Sequence, residues 1–205
     1  MDLAGNTSPV YSNIYTIDKI PPTVSSNIKS GLYNSTITVK LTMTKTGTIY
    51  YTLNGSKPTT SSNKYIGSIT IKSTTTLKYF AVDLAGNKSP AYTNTFTIDK
   101  TAPKVTSTSP ASNSKGVSLT TPIIIKFSEK INQGKNFSNI YIKNMSTGKI
   151  THTITTISGN TIIIKMIKSR LSLDNYQVYI PTNAVNDVAG NNNSKYVLNF
   201  KTSKY

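Results

Sequence analysis

Residues 83–105 read DLAGNKSPAYTNTFTIDKTAPKV, and residues 2–24 read DLAGNTSPVYSNIYTIDKIPPTV. Fifteen of these twenty-three positions are identical at a fixed offset of 81, and a weaker third copy, DVAGNNNSKYVLNFKT, begins at Asp187. Self-similarity of this kind marks a chain assembled from repeated supersecondary units. Each copy reads as a turn, a strand and an exit linker. Asp-x-Ala-Gly-Asn suits a type I turn, with Asp opening it and Gly in the left-handed position that follows. The next residues alternate as a strand should, with Tyr92, Phe96 and Ile98 on or near one face. Proline in the linker (Pro21 and Pro22, or Pro103) ends the ladder and stiffens the joint.

The repeat sets the expected boundaries. Residues 1–16 read as the remnant strand of a preceding repeat, residues 17–100 as one domain and residues 101–205 as a second. Met1 followed at once by Asp2 reads as an expression start inside a longer array, and no signal peptide is recognisable. Within the first domain, Thr36 to Met43 alternates with Ile37, Val39, Leu41 and Met43 on one face. Ile49 to Leu53, closed by Asn54-Gly55, then Tyr65 to Ile71 and Leu77 to Val82, are further strands. In the second domain, Ile123/Ile125/Phe127, Ile140/Ile142, Ile162/Ile164/Met166, Tyr176/Val178/Ile180 and Tyr196/Leu198/Phe200 each mark one. Strands punctuated by turn signals predict an all-β chain of two tandem immunoglobulin-like sandwiches. Leu173-Asp-Asn-Tyr176-Gln-Val178 predicts a tyrosine corner, a packing device in which the phenol ties down nearby backbone.

Composition agrees. Thr, Tyr, Ile and Val favour extended, half-buried backbone, and one Glu with one Arg leaves little material for long helices. The chain has no Cys, which excludes a disulfide framework, a thiolate metal site and a Cys nucleophile. No apolar run is long enough to cross a bilayer as a helix, so no membrane contact is expected of this segment.

The net charge is +16. It is spread: residues 17–100 carry ten Lys against three Asp, and residues 101–205 carry thirteen basic residues against three acids. Lys40, Lys72, Lys126 and Lys165 occupy the polar positions of alternating strands. A nucleic-acid binder more often concentrates its basic residues on one patch and uses arginine forks; a single arginine is poor material for reading phosphates or bases, so no nucleic-acid partner is expected. Solvated sheet faces and charged edges that block edge-to-edge pairing account for the lysines. The same charge attracts anionic polymers or glycans in a salt-dependent way.

Two resemblances follow. The segment Tyr51-Thr-Leu-Asn-Gly-Ser-Lys-Pro-Thr59, followed by Tyr65 and by Leu77-Lys-Tyr-Phe-Ala-Val-Asp83, resembles the chitobiase/β-hexosaminidase C-terminal domain, with Asn54 where that family usually has Asp. Residues 101–202 are similar to a bacterial Ig-like domain through Ala102-Pro103, Thr108-Ser-Pro110, Gly116-Val117, Phe127-Ser-Glu129, Tyr176-Gln-Val178 and Asp187-Val-Ala-Gly-Asn191. The composition resembles that of adhesin-like proteins of methanogenic archaea. These resemblances imply a non-catalytic segment of an extracellular, cell-surface adhesin-like protein, acting as stalk or as binding module. Its implied partners are other cells, anionic surface glycans or wall polymers, and neighbouring Ig-like domains of the same chain. The alternatives are an accessory carbohydrate-binding region of a secreted polysaccharide-active enzyme and a basic wall-anchoring module.

Catalytic chemistry finds little to work with. His152 is the only histidine and lies in Ile150-Thr-His-Thr-Ile154, where the alternation makes it a solvent-facing strand residue. Glycosidase chemistry needs two carboxylates across a cleft, and Asp18, Asp83 and Asp99 all read as turn or linker residues. Asp83 and Asp99 recur as Asp2 and Asp18, a pattern that suits calcium at the joints. Calcium wants six to eight oxygens, several of them anionic, and seven acids in a +16 chain supply few. Each Asp is therefore expected to accept hydrogen bonds from its own turn. A Lys–Asn isopeptide bond needs a buried acid beside the pair; Glu129, the only Glu, is a candidate for it, but its position resembles a strand-end residue of the family. Tyr50, Tyr65 and Tyr92 are the side chains that would stack on sugars, although tyrosines in sandwiches more often serve the core or rim. The seven Asn-x-Ser/Thr sequons match what this Asn-, Ser- and Thr-rich composition gives by chance. No catalytic, cofactor-binding or metal-binding residue is assigned, and no cofactor is expected.

Overall fold

The structure is a computed structural model, and it describes Met1 and residues 3–205. The reading of Asp2 as the opening residue of a turn lies outside the described residues. The described chain is almost wholly β, with a single 3-10 turn at Phe137–Asn139. It falls into two compact units, one of residues 1–31 and 37–96, the other of residues 32–36 and 97–205. Both are immunoglobulin-like sandwiches.

The first sandwich is made of β1 (Val24–Ser26), β2 (Gly31–Tyr33), β3 (Ile37–Val39), β4 (Leu41–Met43), β5 (Gly47–Thr52), β6 (Asn63–Lys64), β7 (Ile69–Ile71), β8 (Thr75–Asp83) and β9 (Tyr92–Ile98), with the far ends of β2 and β9, residues 32–33 and 97–98, counted in the second unit. One sheet runs β2-β9-β8-β5-β6, and antiparallel pairs β1-β4 and β3-β7 supply the other layer. The alternation predicted from Thr36 to Met43 holds on the inward side, where Ile37, Val39 and Leu41 are buried. The segment is nevertheless two strands, because the chain changes partner at Lys40. Its N–H donates to Asn27 Oδ1 at 2.6 Å instead of continuing a ladder. Likewise Tyr65 to Ile71 is not one strand. Tyr65 N–H still bonds Ile49 O, but the chain then leaves the sheet through exposed Ile66 and Gly67, and Ile69 re-enters beside β3. Tyr65 bridges the layers instead, its hydroxyl accepting from Leu41 N–H at 3.1 Å.

The second unit contains β10 (Val105–Ser109), β11 (Ser114–Val117), β12 (Ile123–Phe127), β13 (Asn132–Gln133), β14 (Tyr141–Asn144), β15 (Ile150–Thr151), β16 (Thr153–Ser158), β17 (Thr161–Met166), β18 (Asn175–Ile180), β19 (Val185–Asn186) and β20 (Tyr196–Thr202). Its sheets run β10-β12-β17-β16 and β11-β20-β18-β14-β15, with β13 paired to β19. Period-two burial of Ile123, Ile125 and Phe127 on one sheet and of Tyr176, Val178, Ile180, Leu198 and Phe200 on the other builds one core. The tyrosine corner forms as the sequence predicts. Leu171 N–H donates to Tyr176 Oη at 2.7 Å, and the ring stacks on Phe200 at 5.7 Å between centroids.

The arm behaves differently from its copy. Tyr92 stacks on Tyr79 at 5.8 Å and Phe96 is fully buried. Tyr11 and Tyr15, at the same places in the repeat, are more than four-fifths exposed, and residues 3–23 include no strand. The strand-forming residues are present in the arm, but the sheet that would bury them is not beside it.

Candidate functional site

The repeated Asp-x-Ala-Gly-Asn turns build a structured polar site in each unit. In the first, Asp83 Oδ1 accepts from the Ala85 and Asn87 N–H groups at 3.1 and 2.8 Å, and Gly86 takes φ +86°, which costs a residue without Cβ nothing. Asn87 Nδ2 donates to Asp83 Oδ2 at 3.0 Å and to Asp18 O at 2.9 Å, so the turn grips the lead-in to β1. The second unit repeats this scheme. Asp187 accepts from Asn191 N–H and Nδ2 at 2.7 and 2.8 Å, and Asn191 Nδ2 reaches Asp99 O at 2.9 Å. The expectation that each Asp serves its own turn is thus met at Asp83 and Asp187. Asp18 and Asp99 accept from Ile20 and Thr101 N–H, two residues on.

The repeat also brings residues together that sequence spacing did not pair. Lys45, just past β4, places its Nζ 2.7 Å from Asp18 Oδ2 and 3.6 Å from Asp83 Oδ2, and it donates to the Ile20 carbonyl as well. The hydrogen bond from Lys45 and the Ile20 N–H hold the Asp18 carboxyl below its usual range, and Asp18 in turn raises the Lys45 ammonium. Burial pushes Asp83 up, but the Asn87 bonds and the Lys45 charge outweigh it and leave its carboxyl low. In the second unit, Asp99, Glu129 and Asp187 present carboxylate oxygens within 4.8 Å of one another. Burial, then the charges of Asp187 and Asp99, raise the Glu129 carboxyl. Glu129 therefore faces two carboxylates. Asp99 and Asp187 are 88 residues apart (187 − 99), which is why no local motif signals the group.

His152 is exposed, as expected, at the bend where the chain passes from β15 to β16 and so from one sheet to the other. It lines a depression of about 620 Å³ with Ile150, Ile167, Leu171 and Tyr176. Lys40, Lys72, Lys126 and Lys165 are all exposed, but only Lys126 and Lys165 stand within strands, on β12 and β17; Lys40 lies in the break between β3 and β4, and Lys72 just past β7. Tyr50 is half-buried against Phe80 with ring centroids 5.5 Å apart, and Tyr65 and Tyr92 carry the structural contacts already described.

Residues 28–95 match the sequence model of the chitobiase/β-hexosaminidase C-terminal domain, and residues 99–202 match that of the bacterial Ig-like domain. The two models thus follow one another in the tandem order read from the residues, and neither describes a catalytic domain. No curated protein matches the chain. Among solved structures, an I-band fragment of titin is similar at 13% identity and TM-score 0.51, over 91% of this chain and 66% of that one. The N-terminal part of the bacterial S-layer protein SbsC is 20% identical at TM-score 0.38, over 51% of this chain and 24% of that one. This chain therefore spans under two thirds of either relative. The titin likeness is one of fold alone.

Proposed function

The chain belongs to the bacterial Ig-like domain family, and on that premise we propose that it is a non-catalytic segment of an extracellular, cell-surface adhesin-like protein that attaches to anionic surface glycans or wall polymers. The observation that carries this reading is the placement of its charge. A net charge of +16 rests on lysines spread along both sandwiches, some on strands, as Lys126 and Lys165 are, and others in the connections between strands, as Lys40 and Lys72 are, with these four exposed. Such a surface attracts polyanions along its length, because flexible ammonium stems adapt to any spacing of negative groups and require no shaped pocket. The sandwiches act as rigid supports that hold this surface, and neighbouring Ig-like domains of the same protein would extend it.

The test is association of the purified chain with an anionic polysaccharide, measured at increasing salt. Binding is expected to fall steeply between low salt and about 0.15 M, where the screening length shortens to about 8 Å. Binding that persists at high salt but disappears in Tyr50→Ala would instead establish sugar stacking, the mode of an accessory carbohydrate-binding region.

A further inference from the structure

The two Asp-x-Ala-Gly-Asn turns occupy equivalent places in the two sandwiches, and the equivalence extends to the residue that faces them. Val24 pairs with Met43, and Val105 pairs with Phe127. Thr44 N–H bonds Thr23 O, and Ser128 N–H bonds Lys104 O. Thr23 N–H bonds Thr44 Oγ1, and Lys104 N–H bonds Ser128 Oγ. The residue after Thr44 is Lys45 and the residue after Ser128 is Glu129, so these two stand at one structural position. Asp18 and Asp99 correspond through the 81-residue offset, as do Ile20 and Thr101, and Asp83 and Asp187 open the two turns.

In the first unit this scaffold holds a cation. The Lys45 ammonium is bound by Asp18, by Asp83 and by the Ile20 carbonyl, all oxygen ligands. In the second unit the same scaffold carries a carboxylate at the cation's position. Three carboxylates then converge there, one of them on a buried residue, and none forms a salt bridge with a basic side chain among the described residues. Like charges this close repel strongly unless protons or a counter-charge intervene. The place that a side-chain ammonium fills in one repeat thus has no side-chain cation in the other.

We propose that Asp99, Glu129 and Asp187 bind a divalent cation of the calcium type, with the Thr101 carbonyl, the counterpart of Ile20, as a further oxygen ligand. Calcium takes oxygens at about 2.3–2.6 Å, so two oxygens on one ion lie at most about 5 Å apart. The 4.8 Å spread of the carboxylate oxygens fits that limit. Three anionic groups with peptide carbonyls and water suit calcium's flexible shell better than magnesium's strict octahedron. Asp99 leads into β10 and Asp187 follows β19, so an ion between them would tie the start of the unit to its last turn, as Lys45 does in the first.

The experiment is calcium titration of the full chain after dialysis against EDTA, read by calorimetry and by thermal unfolding. The wild-type chain is expected to bind one ion, with Kd in the range of about 10⁻⁴–10⁻³ M found for extracellular modules. The second unit's Tm should rise with calcium concentration, because a ligand of the folded state stabilises it by mass action. Glu129→Gln should weaken binding at least roughly tenfold, as the charge count that tunes such sites falls by one. Glu129→Lys, which copies the first unit, should remain folded and abolish the calcium response. A wild-type Tm indifferent to about 10 mM calcium, an order of magnitude above the weakest expected Kd, would overturn the proposal. So would a response that survives in Glu129→Lys.

Discussion

Phe96→Ala is expected to destabilise the first unit by about 3–5 kcal/mol while leaving the unfolding of the second where it is. The ring is fully buried on β9, where Phe96 pairs with Thr75 of β8, and alanine would leave a cavity that strands locked in a ladder are poorly able to close. A domain of this size has about 5–15 kcal/mol of stability in total, so the loss is a large fraction. The second unit draws on a separate set of side chains, centred on Phe127, Ile125, Ile164, Val178 and Leu198. Denaturant unfolding followed by circular dichroism should show the first unit's transition move to lower denaturant while the second unit's stays. One transition shifting as a whole would mean that the two sets of side chains unfold as a single cooperative core.

Gly47→Ala is expected to have the second-largest effect, about 3 kcal/mol, at the upper end of what overpacking usually costs. A Cβ there would lie 2.1 Å from the Val82 carbonyl oxygen and 2.7 Å from Asp83 Cα, both backbone atoms of β8 that have no rotamer to change. The strands must separate, and the pairing of Gly47 with Asp83 is the last rung before the turn. The damage therefore reaches Asp83 and the Lys45 ammonium it helps to hold. Thermal unfolding of the variant measures the loss. Stability equal to wild type would show that β5 and β8 do not approach as closely as the structure places them.

The parts of this fold that were legible in the sequence are those set by local pattern. Alternation at Ile123, Ile125 and Phe127 reports a face, and a face is what a sheet buries. The Asp-x-Ala-Gly-Asn turn is equally local, since Asp83 bonds groups only two and four residues away. The tyrosine corner spans five residues between Leu171 and Tyr176. What the sequence hid was partner choice. Ile37 to Met43 alternates without interruption, yet its two halves pair with β7 and with β1, because alternation fixes which side faces in and says nothing about which neighbour lies alongside. The same limit concealed the acidic group. Asp99 was legible as a linker residue, but its convergence with Glu129 and Asp187 is produced by the packing of β10, β12 and the last turn. The substitution of Glu129 for Lys45 becomes visible only when the two units are aligned through their hydrogen bonds.

Charge-driven attachment is tested most directly by neutralising the ammonium groups themselves. The folded chain would be acetylated on its exposed lysines, checked by circular dichroism for retained β structure, and compared with unmodified protein for attachment to a surface coated with anionic polysaccharide. Acetylation removes the charge and keeps most of each stem, so shape is nearly unchanged while the field collapses. The account expects attachment at low salt to drop by at least roughly tenfold, in keeping with the steep dependence of polyanion binding on the number of cationic contacts. Attachment that survives acetylation undiminished in the folded protein would contradict it.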